Sequence, residues 1–267
     1  MEDHNTQQEE KQDPRPTRRG IYLLPNLLTT AGLFAGFYAI VAAMDKDFEA
    51  AAIAIFVAMI TDFLDGRVAR MTHTQSKFGA EYDSLVDMVA FGLAPALVVY
   101  EWALHDLNKL GWLAAFVYTA ATALRLARFN TQISTSNKRF FQGLASPAAA
   151  ALMAGMVWVG HRFDLPSEFT PYLALFISVS SGALMVSIIR YRSFKDLDLK
   201  GRIPFVVVLV VVLVFVFITI NPPLVLFSLF FGYALSGPIY SLVKIRQTRS
   251  LRKKRKSLLD KDIPKEG

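Results

Sequence analysis

The sequence has no cysteine. That excludes disulfides, thiolate metal ligands and a cysteine nucleophile, and it assigns no compartment. Residues 1–19 carry no apolar h-region, so a cleaved signal peptide is not expected. No internal repeat of fixed period is present. Basic residues are scarce on one set of connecting loops, which hold only Lys46, Lys109 and Arg162.

What the chain has in excess is apolar side chains. They make up 53% of its 267 residues, with a mean hydropathy of +0.36. A soluble domain of this size is less apolar. The excess falls in eight blocks, at about 21–44, 48–66, 84–105, 110–129, 145–161, 171–189, 203–220 and 222–243. Each is about the length of a membrane-crossing helix, roughly 20 residues. The runs do not alternate at period two, so helices fit them better than barrel strands. The turn signal "NPP" at 221–223 separates the last two. The expected fold is an all-α integral membrane protein of about eight transmembrane helices.

All 29 basic residues except Lys46, Lys109 and Arg162 fall on the side that includes both ends of the chain. The positive-inside rule therefore predicts cytoplasmic N- and C-termini. Three parts follow: a polar segment 1–19, a membrane-embedded domain 20–243 and a basic cytoplasmic tail 244–267. Stretches rich in small residues, such as "SPAAAALMAGM", suit close helix packing. The tail run "KIRQTRSLRKKRKSLLDK" reads as a topology signal on a solvated helix end. It also suits attraction to anionic membrane lipids, at about 1 kcal/mol per basic residue. Nucleic acid is not an expected partner, because no aromatic-bearing soluble domain accompanies the run.

The informative stretch is "DFLDGRVARMTHTQSKFGAEYDSLVD", residues 62–87. It places Asp62, Asp65, Asp83 and Asp87 at the edge of the predicted membrane. On helices the first two are three apart and the last two are four apart, so each pair shares a face. Gly79 is read as breaking the polar stretch between them. A short cytoplasmic turn then sets the pairs opposite one another.

Crowded carboxylates in such a place repel each other and are costly to bury unless they are neutralised. Two Mg²⁺ or Mn²⁺ ions match four carboxylates in charge and in preference for oxygen. Zn²⁺ fits less well, because the nearest histidine, His73, reads as a loop residue. Gly66 permits close approach to the helix backbone. Ala69 keeps that face open, and Arg70, one turn on, suits a phosphate. The combination points to chemistry at phosphorus. A cation or proton transporter would also account for the acids, but not for Gly66 and Arg70.

The stretch D-x2-D-G-x2-A-R-x8-G-x3-D-x3-D resembles the signature of the CDP-alcohol phosphatidyltransferases, with every position filled. The flanks "LLPNLLTTAGLFAGFYAI", "EYDSLVDMVAFGLAPA", "RLARFNT" and "FQGLASPAAAA" are similar to its phosphatidylserine synthase branch. The likeness runs from about residue 20 to 160. It implies a prokaryotic inner-membrane enzyme, usually a homodimer. Such an enzyme moves a phosphatidyl group from CDP-diacylglycerol to L-serine and releases CMP. The eight spans exceed the family's six-helix core, so a C-terminal hairpin, 203–243, is expected as an addition.

The resemblance also implies roles. Asp62, Asp65 and Asp83 would hold the two divalent ions, with Asp87 at the edge of the site as a weak ligand and the base for the serine hydroxyl. Asn26, Thr29, Asp62, Gly66, Ala69, Arg70, Ser76 and Gly79 would meet the CDP-lipid. For Asn26, a helix–helix hydrogen bond is the alternative. Direct transfer with inversion is the simpler route, and a covalent phosphatidyl-enzyme is the other. For the acceptor, Arg125 and Arg128 share a helical face, and either could hold the serine carboxylate or a lipid phosphate. Snorkelling at the interface is their alternative role. Asn130, Arg139, Gln142 and Ser146 would complete the pocket. Glycerol 3-phosphate, inositol phosphate and choline are the alternative acceptors.

Overall fold

The computed structural model describes residues 23–72, 74, 76–132, 140–192 and 205–259. Among these the chain forms eight long helices. They are α1 (Leu23–Met44), α2 (Phe48–Met71), α3 (Lys77–Trp102), α4 (Lys109–Gln132), α5 (Ser146–Arg162), α6 (Thr170–Val186), α7 (Phe205–Ile220) and α8 (Pro222–Leu259). A 3₁₀ turn, Leu104–Leu107, joins α3 to α4. A two-stranded antiparallel ribbon pairs β1 (Phe140–Gln142) with β2 (Arg190–Arg192).

Among the described residues, four helices are long and apolar enough to cross a membrane: Leu24–Met44, Lys77–Trp102, Lys109–Thr131 and Pro222–Lys244. Thr170–Val186 is a shorter apolar helix. Each of the eight predicted blocks coincides with a helix, but several boundaries move. α2 runs past its apolar block to Met71 and α3 begins at Lys77, with the expected short turn between them. α8 runs on past residue 243 to Leu259, so the expected division between core and tail falls inside one helix. Hydropathy marks where a membrane would end, and the backbone ladder continues beyond it. The ribbon is a second departure from an all-helical expectation.

α1 and α2 form an antiparallel hairpin. Asp47 caps α2 by accepting a hydrogen bond from the Ala50 amide at 3.0 Å. The core is built largely of alanine, with Ala39, Ala43, Ala51, Ala94, Ala149 and Ala154 fully buried. Small side chains let helix backbones approach, which is how helices associate where the surroundings are also apolar. α3 comes close to α1 at Gly36, where an added Cβ would lie 2.8 Å from the Ala90 Cα. α5 is the most enclosed helix, buried along most of its length. Large apolar side chains such as Phe34, Phe37, Phe116 and Phe176 point outward. That is the reverse of a water-soluble surface and suits lipid contact.

Two prolines sit inside helices, and both are handled the same way. Proline has no amide hydrogen, so the carbonyl four residues earlier loses its helical donor. Pro95 offers no amide to the Phe91 carbonyl four residues before it, which lies in a π-helical segment, Met88–Leu93. The buried Tyr118 hydroxyl of α4 donates to that carbonyl at 2.9 Å. Pro238 does the same to the Ala234 carbonyl in α8. There the Tyr191 hydroxyl, from β2, donates at 3.0 Å.

Candidate active site

The α2 and α3 aspartate pairs face each other, as the spacing predicts. Carboxylate oxygens of Asp62, Asp83 and Asp87 lie within 4.8 Å of one another. Asp65 lines the same small cavity, together with Thr29, Gly32 and Ala58. Asp65 is buried, and its carboxylate accepts a hydrogen bond from the Thr29 hydroxyl at 2.7 Å. Asp62, Asp83 and Asp87 converge, and beside them the Asp65 carboxylate is bonded by Thr29. The π segment starts directly after Asp87. Such bulges often occur at functional sites, where they re-aim a side chain.

The donor set fits a hard divalent cation. Opposed oxygens on Mg²⁺ stand about 4 Å apart, close to the spacing available here. Without neutralisation, two carboxylates at this separation repel by about 3 kcal/mol at an effective dielectric constant of 20. Among the described residues the cluster is made of oxygen donors alone.

The phosphate-facing candidates surround this cluster. The Arg70 guanidinium lies over Gly66, with Nη1 3.5 Å from where a Cβ would stand. It interacts electrostatically with Asp65. Ala69 is half-buried between them along α2. Ser76 is the N-cap of α3, its Oγ accepting from the Gly79 amide at 2.9 Å. Gly79 therefore does not break the chain, because it belongs to the first turn of α3. The Asn26 Oδ1 is 3.5 Å from the Cβ position of Gly79, which sets α1 against the first turn of α3. For Thr29 the structure shows a helix–helix hydrogen bond, the alternative weighed for its neighbour Asn26.

The acceptor candidates divide. Arg125 turns inward, interacts with Asp87 and Asp62, and donates from Nη1 to the buried Ser146 Oγ at 2.6 Å. Its Nε is buried without a hydrogen-bond partner. Arg128 turns instead to the Gln142 side chain on β1. Asn130 donates to the Ser84 Oγ at 3.0 Å. Arg139 and His73 lie outside the described residues.

Several neighbours were not singled out in the sequence. Tyr82 hydrogen-bonds Thr30 at 3.0 Å, which ties α3 to α1 beside Asp83. Tyr118 secures the π segment, and Tyr233 of α8 interacts with Arg125. Pro95 was a signal for the Tyr118 contact, since a proline within a helix withholds an amide donor.

Comparison with known proteins supplies independent information. A family model described as CDP-alcohol phosphatidyltransferase matches residues 22–189. The CDP-diacylglycerol–serine O-phosphatidyltransferase of Helicobacter pylori is 38% identical over 225 residues, covering 84% of this chain and 94% of that protein. The Bacillus subtilis protein of the same name is 34% identical over 172 residues, covering 64% and 91%. The archaetidylserine synthase of Methanothermobacter thermautotrophicus is 34% identical over 170 residues, covering 63% and 69%.

Proposed function

Because the chain belongs to the CDP-alcohol phosphatidyltransferase family, we propose that it transfers the phosphatidyl group of CDP-diacylglycerol to the hydroxyl of L-serine, giving phosphatidylserine and CMP. The observation that carries this is the convergence of Asp62, Asp83 and Asp87, with Asp65 and Arg125 beside them. The relatives named as serine phosphatidyltransferases support the choice of acceptor.

Asp62, Asp65, Asp83 and Asp87 would hold two divalent ions, Mg²⁺ or Mn²⁺, which would supply positive charge to the diphosphate. Gly66 and Ala69 leave room for the diphosphate, and Arg70 pairs with it. Asn26, Thr29, Ser76 and Gly79 border the nucleotide side. Arg125 holds the serine carboxylate, using donors that Ser146 leaves free. Asn130, Arg128 and Gln142 line the outer edge of that pocket. Asp87 accepts the serine hydroxyl proton through its second oxygen. The serine oxygen forms its bond to the phosphorus that carries the lipid, the bond from that phosphorus to CMP breaks, and the electron pair leaves with CMP. Direct displacement needs no group beyond these.

The protein acts in this reading as a homodimer in the cytoplasmic membrane of a prokaryote. Its eight helices span the bilayer, and both termini are cytoplasmic. The distribution of basic residues supports that orientation. A transporter fits less well, because the buried side of α3 beyond Asp87 continues as Ala90, Phe91, Ala94 and Val98. That is an apolar wall with no further ligands.

The test is CMP release by purified protein from CDP-diacylglycerol with Mg²⁺ or Mn²⁺, comparing serine, glycerol 3-phosphate, inositol phosphate and choline. Release with serine alone is expected, and release only with another acceptor overturns the assignment. Asp87→Asn should abolish turnover and leave CDP-lipid binding largely intact. Lost binding with high residual turnover would remove Asp87 as the base.

A further inference from the structure

The two arginines of the acceptor side take their partners from one short segment. Arg128 donates to the Gln142 side chain, and Arg125 to the Ser146 Oγ at 2.6 Å. Residues 140–146 carry both partners, running from β1 into the start of α5. The end of α6 and the chain just after it hold this segment by its backbone. The Leu144 amide donates to the Leu184 carbonyl at 3.0 Å, and the Gly143 amide to the Ile189 carbonyl at 2.8 Å. Gly143 has φ +82°, and a Cβ there would collide with the Met185 carbonyl. β1 pairs with β2, setting Phe141 opposite Tyr191 and Gln142 opposite Arg190.

A two-stranded ribbon is marginally stable by itself, so what anchors it decides where it sits. The anchor of β2 is Tyr191, which is fully buried. Its ring stands 5.5 Å from that of Tyr233 on α8. A Cβ at Gly237 would collide with the same ring. Its hydroxyl donates to the Ala234 carbonyl at 3.0 Å. α8 is itself firmly seated: an added Cβ at Gly155 of α5 would lie 3.1 Å from the Phe227 Cα, and Phe56 of α2 meets the Phe230 ring at 6.3 Å. The matched family segment ends at residue 189, so both Tyr191 and its socket lie beyond it.

Resting on the serine-transfer reading, we propose that Tyr191 is a positioning residue for the acceptor site: locked into α8, it holds in place the segment that presents Gln142 to Arg128 and Ser146 to Arg125. The path runs from α8 through Tyr191 to β2, then across the ribbon to β1 and the two arginine partners. The C-terminal hairpin thereby takes part in acceptor binding without touching the acceptor.

The test uses Tyr191→Phe, which keeps the ring in its socket and removes the tether. Hydrogen–deuterium exchange in the 140–146 peptide should speed up at least about fivefold, as the local opening equilibrium shifts. Peptides of α1 and α2 should exchange as in the wild type. The KM for serine should rise roughly 5–20-fold, the range for loosening one or two hydrogen bonds in the pocket. The KM for CDP-diacylglycerol should stay near wild type. Gly237→Ala drives a methyl group into the same ring and should give the same pattern. The double variant Tyr191→Phe with Pro238→Ala separates positioning from stability. The new amide at 238 serves the Ala234 carbonyl, so the thermal midpoint should recover, while the serine KM should stay raised because β2 is still untethered. Unchanged exchange in 140–146, equal KM shifts for both substrates, or a serine KM that recovers with the thermal midpoint each overturns the proposal. If the wild-type protein releases no CMP with serine, the serine-transfer reading itself fails. If it does and Tyr191→Phe matches it in exchange and in serine KM, only the positioning role falls.

Discussion

Removing the Tyr118 hydroxyl isolates one buried hydrogen bond. Tyr118 is fully buried and donates to the Phe91 carbonyl at 2.9 Å. That carbonyl cannot be satisfied by residue 95, which is proline. Tyr118→Phe keeps the ring and its packing, so the loss is the unsatisfied carbonyl, about 1–3 kcal/mol. For a chain of this size, each kcal/mol lowers the Tm by roughly 2–4 °C, so a fall of roughly 2–12 °C is expected. Thermal unfolding in a fixed detergent, followed by intrinsic fluorescence, measures it. The decisive control is Pro95→Ala, which restores an amide hydrogen at the position that normally serves Phe91. In that background Tyr118→Phe should cost at least about 1 kcal/mol less than in the wild type, as groups sharing one partner couple. Equal costs in both backgrounds would refute the argument that the proline creates the need for the tyrosine.

Three other outcomes are expected. Thr29→Val removes the donor to Asp65 at 2.7 Å and should lower CMP release at least about tenfold while raising the Mg²⁺ concentration needed for half-maximal rate; an unchanged metal requirement would separate Asp65 from the ions. Arg125→Lys keeps the charge but loses the fork, and should raise the serine KM about tenfold or more with little effect on CDP-diacylglycerol; steady-state kinetics with each substrate varied decides it. Gly36→Ala places a Cβ 2.8 Å from the Ala90 Cα and should cost about 1–3 kcal/mol by overpacking, read as a lower Tm.

The helices were legible as apolar blocks, four of them long and apolar enough among the described residues to cross a membrane. The facing of the two aspartate pairs was legible too, since three- and four-residue spacing defines a helical face. What hydropathy could not supply was where the backbone stops. Ser76 starts α3 by capping it, and Gly79 lies inside that first turn. The partner of Asp65 escaped for a different reason. Spacing puts Asp62 and Asp65 on one face, but it does not show that the Thr29 hydroxyl, 36 residues away in the chain, bonds the Asp65 carboxylate. Likewise Arg125 and Arg128 share a face by count, yet Ser146 and Gln142 draw them to different places. Contacts of that kind depend on tertiary neighbours, which one sequence does not display.

The pairing of Tyr191 with Pro238 has a consequence for how sequences of this architecture can drift. The proline and the hydroxyl that serves its orphaned carbonyl sit on separate elements, linked through Ala234. A lineage that replaces Pro238 frees Tyr191 to become phenylalanine, whereas one that loses the hydroxyl first carries an unmet carbonyl. The two positions should therefore change in a preferred order, proline before tyrosine, and ancestral reconstructions should seldom pass through a chain that keeps the proline alone.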